Sequence, residues 1–318
     1  MTASTGTGPQ GGSTRPVVGV VVPTHDRPSL LRGTLRAILD QDADVALDVV
    51  VVFDRSEPDA TLADLSAGDR RVRVLANTRT PGLAGNRNTG ILALDTEWVA
   101  FCDDDDTWTP GKLRAQLERA RQHPDAVLLT TAITVAYEGS PEVPRLAGQD
   151  EVRHDDLLCM RMAMLHSSTM LFRRSALLGP VGLVDEQIPG SQNEDWDMLL
   201  RASAVAPIQH VDEPLVRVPW GRASYFSRKW QTVCDSLEYM LDRHPRIADD
   251  ADSAGRVYGQ LAFNNAAMGH RRTAARWAGR ALRRKWAEPR AFIALAVAGG
   301  LVSPETVLSR LNRHGRGI

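Results

Sequence analysis

The sequence predicts an α/β chain, with a Rossmann-like domain on a mixed, mostly parallel sheet and an α-helical subdomain after it. Three observations predict this. Apolar, β-branched runs end abruptly in polar turns, as buried parallel strands do. Segments with helical spacing separate those runs over the first ~135 residues. From about Ser227 onward the pattern is helical throughout and rich in Ala and Arg.

Val17 to Val22 is the first strand, stopped by Pro23 and the polar turn Thr24-His25-Asp26-Arg27-Pro28. A helix follows, with Leu30, Leu31, Leu35, Ile38 and Leu39 at helical spacing and Ser29 as its N-cap. Val45 to Phe53 is a second buried strand, ending at Asp54. A short helix at Thr61 to Leu65, a strand at Val72 to Leu75 and a helix at Asn86 to Leu94 come next. Trp98 to Cys102 is a strand that runs into four consecutive aspartates, Asp103 to Asp106. Lys112 to Gln122 is helical and Ala126 to Ala136 extended.

Gly139 to Asp156, rich in Pro, Gly and acids, reads as a loop. Strands are expected at Leu171 to Arg173, Ala204 to Val211 and Leu215 to Val218, with a helix from Glu194 to Ala204. The division is therefore a leader at 1–15, an α/β domain at 16–226 with halves 16–135 and 136–226, and a helical subdomain at 227–318. Within the last, Leu261 to Leu282 reads as one helical hairpin packed through Ala267, Gly269, Ala274, Ala278 and Ala281.

Composition narrows the function. Lys plus Arg number 38 against 39 Asp plus Glu, so no global basic field exists to hold nucleic acid. Cys102, Cys159 and Cys234 are odd in number and far apart, which fits buried, reduced thiols. The Ser/Thr/Gly-rich leader lacks the apolar core of a signal peptide, and the longest apolar runs are too short to span a bilayer. A cytoplasmic protein is expected.

In a parallel sheet, ligands bind beyond the C-terminal strand ends. That edge gathers Thr24, Asp26, Asp54 and the aspartate run around one crevice. Four adjacent acids repel one another, and a hard cation such as Mg2+ or Mn2+ compensates them best; a solvated loop or a helix cap is the other reading. Strand alternation would put Asp103 and Asp105 on one side and Asp104 and Asp106 on the other. Asn193-Glu194-Asp195-Trp196-Asp197 opens a helix, where acids either cap or supply a general base. Burial against Trp196 and Met198 would raise the pKa of such a base. The glycines of Pro81 to Gly90 let backbone approach a ligand, with Arg87 available to a phosphate or to the aspartate run. His166, with Ser167 and Ser168, is a candidate for the acceptor pocket. The arginines at 271, 272, 276, 280, 283 and 284, with Lys285, form a basic helical stripe.

The ordered set VGVVVPTHDR, VVVVFD, AGNRNTG, FCDDDDTW and NEDWDMLLR resembles the family 2 glycosyltransferases with the GT-A fold, over about residues 17–218. The resemblance implies an inverting transferase that moves a sugar, UDP-linked by preference, onto a hydroxyl with the help of Mg2+ or Mn2+. It implies that Pro23, Thr24, Asp26 and Arg27 edge the nucleotide pocket and that Asp54 binds the base. Arg87 and Asn88 would support the diphosphate, with Asp104 near the ribose. Asp105 and Asp103 would hold the metal, and Asp195 would be the catalytic base, with Glu194, Trp196 and His166 as acceptor or supporting residues. The expected acceptor is a glycan, a lipid carrier or a small-molecule aglycone, and the basic stripe suggests peripheral contact with the inner face of a membrane. A sugar nucleotidyltransferase would want a Gly-rich basic loop where this chain has Pro-Thr-His-Asp-Arg-Pro. A non-catalytic nucleotide-sugar-binding module would not need Asp195.

Overall fold

The computed structural model describes residues 16–137, 141–220 and 229–313. The leader at 1–15 and the expected boundary at 226/227 lie outside them.

The first half comprises β1 (Val17–Thr24), α1 (Pro28–Leu39), β2 (Ala46–Phe53), β3 (Arg70–Ala76), α2 (Leu83–Ala93), β4 (Trp98–Phe101), β5 (Thr107–Trp108), α3 (Lys112–Gln122) and β6 (Leu128–Tyr137). Then come β7 (Val143–Arg145), β8 (Glu151–Val152), α4 (His154–Cys159), β9 (Leu171–Arg173), α5 (Arg174–Leu177), α6 (Glu194–Val205) and β10 (Ile208–Trp220). The C-terminal helices are α7 (Trp230–Arg243), α8 (Ala251–Ala267), α9 (Arg271–Arg284), α10 (Pro289–Ala298) and α11 (Pro304–Arg313).

One ten-stranded sheet runs β3-β2-β1-β4-β9-β6-β10-β5, with β7 beside β6 and β8 beside β10. β3, β2, β1 and β4 are mutually parallel, and β9 enters antiparallel between β4 and β6. Alternate residues of β1 feed opposite cores: Val18, Val20 and Val22 pack with α1 and α3, whereas Val21 packs with α2 and α6. Two-sided burial explains why these strands read as unbroken apolar runs.

Four local expectations change. Ser29 does not cap α1: Pro28 occupies the first turn and Arg27 precedes it, as suits a residue with a preset φ and no N–H. The predicted loop at 139–156 carries β7, β8 and the start of α4 within its described part. Ala204 belongs to the end of α6, and the two strands expected after it are one strand, β10, whose register slips around Pro214. Proline has no N–H for the ladder, so the strand bulges there instead of ending.

α8, α9 and α10 pack through alanines, with Ala262, Ala274, Ala278, Ala281, Ala291 and Ala294 all fully buried. The expected hairpin is α8–α9. α7 holds α6, the helix that carries Asp195. The buried Asp197 carboxylate accepts hydrogen bonds from Arg243 Nε and His244 Nε2 at the end of α7, both at 2.8 Å. Burial opposes its ionisation, but His244, Arg201 and Arg243 hold its pKa down at about 2.

Candidate active site

β1 pairs with β2 on one side and β4 on the other, so the chain reverses its direction of travel across the sheet there, and a crevice opens at the C-terminal strand ends. Two loops meet in it. Thr24 Oγ1 donates to Asp104 at 2.7 Å, and Arg27 Nη1 reaches Asp105 at 2.6 Å and Asp104 at 3.3 Å. Pro23 is buried at the strand end, whereas Asp26 is exposed with a left-handed φ of 54°. Asp54 is buried, and its oxygens accept from Asn77 Nδ2, Gly82 N and Arg55 Nε. Burial opposes ionisation of Asp54, but these donors keep its pKa below the usual range. His25 joins the two strand ends, through Nδ1 to Asp54 O at 2.7 Å, with Nε2 3.7 Å from Asp26.

The aspartate run is not extended, which overturns the expected alternation. Asp106 N donates to Asp103 O at 3.1 Å and closes a turn. The sides are therefore divided differently: Asp104 and Asp105 face Arg27, while Asp103 and Asp106 face His166, Ser167 and Ser168. Ser167 Oγ donates to Asp103 at 2.9 Å, and Ser168 Oγ to Asp106 at 2.5 Å. Sheet register is the reason. Ala100 stands opposite Leu171 in the antiparallel β4–β9 pair, and three residues further along Asp103 faces Ser168, whose Oγ accepts from Asp103 N. The His-Ser-Ser segment, expected at the acceptor pocket, thus braces the acids.

Arg87 links the two acidic motifs. It is fully buried on α2, and its guanidinium donates to Asp103 at 2.6 Å and to Glu194 at 2.5 Å. Asn88 turns elsewhere: its amide donates to Val184 O and Glu186, and its oxygen accepts from Val184 N. It fastens the second half of the domain to α2. The neighbouring glycines also serve packing. A Cβ on Gly85 would lie 1.9 Å from Thr80 O, and one on Gly90 would lie 2.4 Å from Val21. Close packing inside the fold, against the Thr80 backbone at Gly85 and the Val21 side chain at Gly90, excludes a side chain at these positions.

Asp195, in the first turn of α6, receives Arg161 Nη2 on both carboxylate oxygens at 2.9 Å. Its pKa moves in the opposite direction from the one expected: burial raises it, but Arg161 outweighs burial and holds the carboxyl below the usual range. Trp196 and Met198 point into the core and do not flank it, with Trp196 Nε1 donating to Leu157 O at 3.0 Å. Arg161 had no signal in the sequence, being a lone arginine in a loop.

Six carboxylates, those of residues 103–106, 194 and 195, meet three guanidiniums, those of Arg27, Arg87 and Arg161. The excess negative charge disfavours ionisation of several of these acids. Burial, reinforced by neighbouring acids, pushes Asp106 and Glu194 up to about 7 and Asp104 up to about 6. A divalent cation fits this deficit. Asp103, Asp106 and His166 each offer an atom, all within 4.8 Å of one another. Two carboxylates and an imidazole suit Mn2+ in particular, and Mg2+ with added waters.

Among solved structures, Staphylococcus aureus TarS (residues 1–349, with UDP-GlcNAc) shares the fold at a TM-score of 0.60 and 16% identity, over 95% of this chain and 92% of that one. The mannosyltransferase PcManGT of Pyrobaculum calidifontis, with GDP-Man and Mn2+, superposes at 0.55 with 18% identity, over 93% and 83%. The succinoglycan biosynthesis protein ExoO of Rhizobium meliloti is 41% identical over 106 residues, 33% of this chain and 30% of ExoO. The chain spans less than two thirds of the length of the curated relatives it matches first. The sequence model for glycosyl transferase family 2 matches residues 19–178, half of the chain, taking in the first-strand turn, Arg87 and the aspartate run. The chain belongs to glycosyl transferase family 2.

Proposed function

We propose that the chain transfers a sugar from a nucleotide-sugar donor, UDP-linked by preference, to an acceptor hydroxyl with inversion at the anomeric carbon. One observation carries this reading: Arg87 fixes the aspartate run and the Glu194–Asp195 pair to each other, so a charge-stabilising centre faces a carboxylate base. The acceptor oxygen bonds to the anomeric carbon as the bond to the diphosphate oxygen breaks, and the hydroxyl proton passes to Asp195. Asp195 must first leave Arg161, because a carboxylate held by a guanidinium is a weak base. Thr24, Arg27, Asp54 and Asp104 line the strand edge where the nucleotide would lie, next to Pro23 and Asp26. Asp103 would hold the metal either with Asp105, as the family resemblance implies, or with Asp106 and His166, which lie beside it. Bound Mg2+ or Mn2+ would offset the charge of the departing nucleoside diphosphate.

The donor and metal parts are tested together by calorimetric titration of UDP, GDP and dTDP with and without Mn2+. UDP is expected to bind at least about tenfold more tightly with Mn2+ than without it, and to lose that gain in Asp103→Asn. Binding of no nucleoside diphosphate under either condition would overturn the reading.

The acceptor is proposed to be a glycan or a lipid-linked saccharide, met at the cytoplasmic face of a membrane. Among the described residues no helix is long and apolar enough to cross one. The exposed arginines of α9 are continued by Trp286, 83% exposed, and by Phe292 on α10, a basic and apolar combination that suits an anionic bilayer. Flotation with phosphatidylglycerol vesicles is expected at low salt and lost at high salt or in Trp286→Ser. Salt-independent absence of flotation would remove the membrane from the proposal.

A further inference from the structure

The C-terminal helices bring positive charge to the acceptor side of Asp195 that neither donor nor metal binding uses. Arg256 of α8 lies over the Trp196 ring, 5.2 Å from its centroid. Its Nε and Nη2 are buried and have no hydrogen-bond partner among the described residues. Buried donors are rarely left in that condition, since each costs the desolvation of a polar group.

The neighbours of Arg256 add to the imbalance. α10 begins against α8 because α8 carries glycine at the crossing, where a Cβ on Gly259 would lie 2.8 Å from Arg290 Cβ. Arg290 uses Nη1 on Glu288 at 2.9 Å, and its Nε is buried without a partner. Arg161 binds Asp195 through Nη2 alone, and its Nε is likewise buried and unpartnered. Burial first, then the charges of Arg290 and Arg161, pull Arg256 down to about 10, and Glu288 and Asp250 do not restore it. Glu288 bonds Arg290, and Asp250 caps its own helix through Ser253 N. The group is not sealed, because the Arg161 and Arg290 side chains are 36% and 29% exposed.

We propose that Arg161, Arg256 and Arg290 form a phosphate-binding acceptor subsite beside Asp195, so that the acceptor carries its hydroxyl on a phosphate-linked group. This rests on the reading of Asp195 as the base. Three guanidiniums with four unsatisfied nitrogens match a tetrahedral phosphate better than a planar carboxylate, which offers fewer oxygens. A phosphate at Arg161 also competes with Asp195 for that guanidinium. The acceptor thereby frees the base that it needs, and an empty site keeps the base occupied.

The test is calorimetric titration of the full chain with inorganic phosphate and with farnesyl diphosphate, each with and without saturating Mg2+ and UDP. Saturable binding to the wild type is expected, weakened about tenfold or more in Arg256→Gln and Arg290→Gln and less in Arg256→Lys. The Kd for UDP is expected to stay at the wild-type value in all three variants. Tighter binding of farnesyl diphosphate than of phosphate supports a lipid-linked source, and equal binding supports a soluble or polymeric one. Wild-type phosphate affinity in both glutamine variants, or no saturable binding to the wild type, overturns the subsite. Loss of UDP binding by the wild type would instead strike the donor reading, since the phosphate arm is also read without UDP. Arg290, being part-exposed, carries the test if Arg256→Gln fails to fold.

Discussion

Asp195→Asn is expected to lower sugar transfer by on the order of 10³-fold while leaving the Kd for UDP unchanged. The substitution keeps the shape of the side chain and removes its capacity to take a proton. The amide oxygen can still accept from Arg161, which now donates to both carboxylate oxygens, and the helix start stays anchored by Asn193 Nδ2 on Ser236 at 2.9 Å. Nothing on the donor side depends on Asp195, because Arg87 contacts Glu194 and not Asp195. The measurement is a pair: UDP release from the preferred UDP-sugar with acceptor present, and calorimetric UDP binding. Parallel loss of rate and binding would show that Asp195 holds the site together and is not its base. Arg161→Met gives a second axis. With its guanidinium gone, the pKa of Asp195 should rise, so the acid limb of the rate profile should move to higher pH.

Much of the frame was legible in the sequence, for a definite physical reason. β1, β2 and β4 are buried on both faces, so each appears as an apolar run whose end marks the sheet edge. Thr24 ends β1, Asp54 follows β2 directly and Asp103 lies two residues past β4, so they could be gathered into one crevice without coordinates. What was not legible is whatever depends on a turn or on contacts distant in sequence. Strand alternation does not hold at Asp103 to Asp106 because a hydrogen bond from Asp106 N to Asp103 O folds the run, and no pattern in four identical residues signals that. Ser168 is visible in the sequence, but its partners Asp103 and Asp106 follow from the β4–β9 register. Trp196 beside an acidic pair reads as an acceptor or supporting residue that desolvates the base, whereas helical geometry turns it into the core. Arg161 and Arg256 lay beyond sequence reasoning, because their meaning comes from Asp195 and from each other.

Arg87→Met is expected to be among the most damaging single substitutions in the chain, costing about 3–5 kcal/mol of stability. Arg87 is fully buried, with its guanidinium against the Phe101 ring at 5.5 Å and its two outer nitrogens on Asp103 and Glu194. Burial alone would disfavour the charge, but Asp103 and Glu194 hold its pKa above the ordinary arginine value. Methionine fills much of the same volume, so the loss is electrostatic: the buried Glu194 carboxylate and the partly exposed Asp103 carboxylate lose the guanidinium they share. Adding Glu194→Gln removes one of them, and the double variant should recover at least about 1 kcal/mol relative to additivity. Chemical denaturation of the four proteins of this cycle measures both numbers. An Arg87→Met variant within about 1 kcal/mol of wild type, or strict additivity with Glu194→Gln, would sink the claim that the two motifs are coupled through this residue. Mn2+-dependent UDP binding should fall with Arg87→Met as well, because Asp103 loses its tether, whereas Arg256→Gln should leave it intact. Of these two arginines, one has all its outer nitrogens matched by carboxylates and ties the site together. The other leaves Nε and Nη2 buried and unmatched among the described residues, where a phosphate of the acceptor would bind.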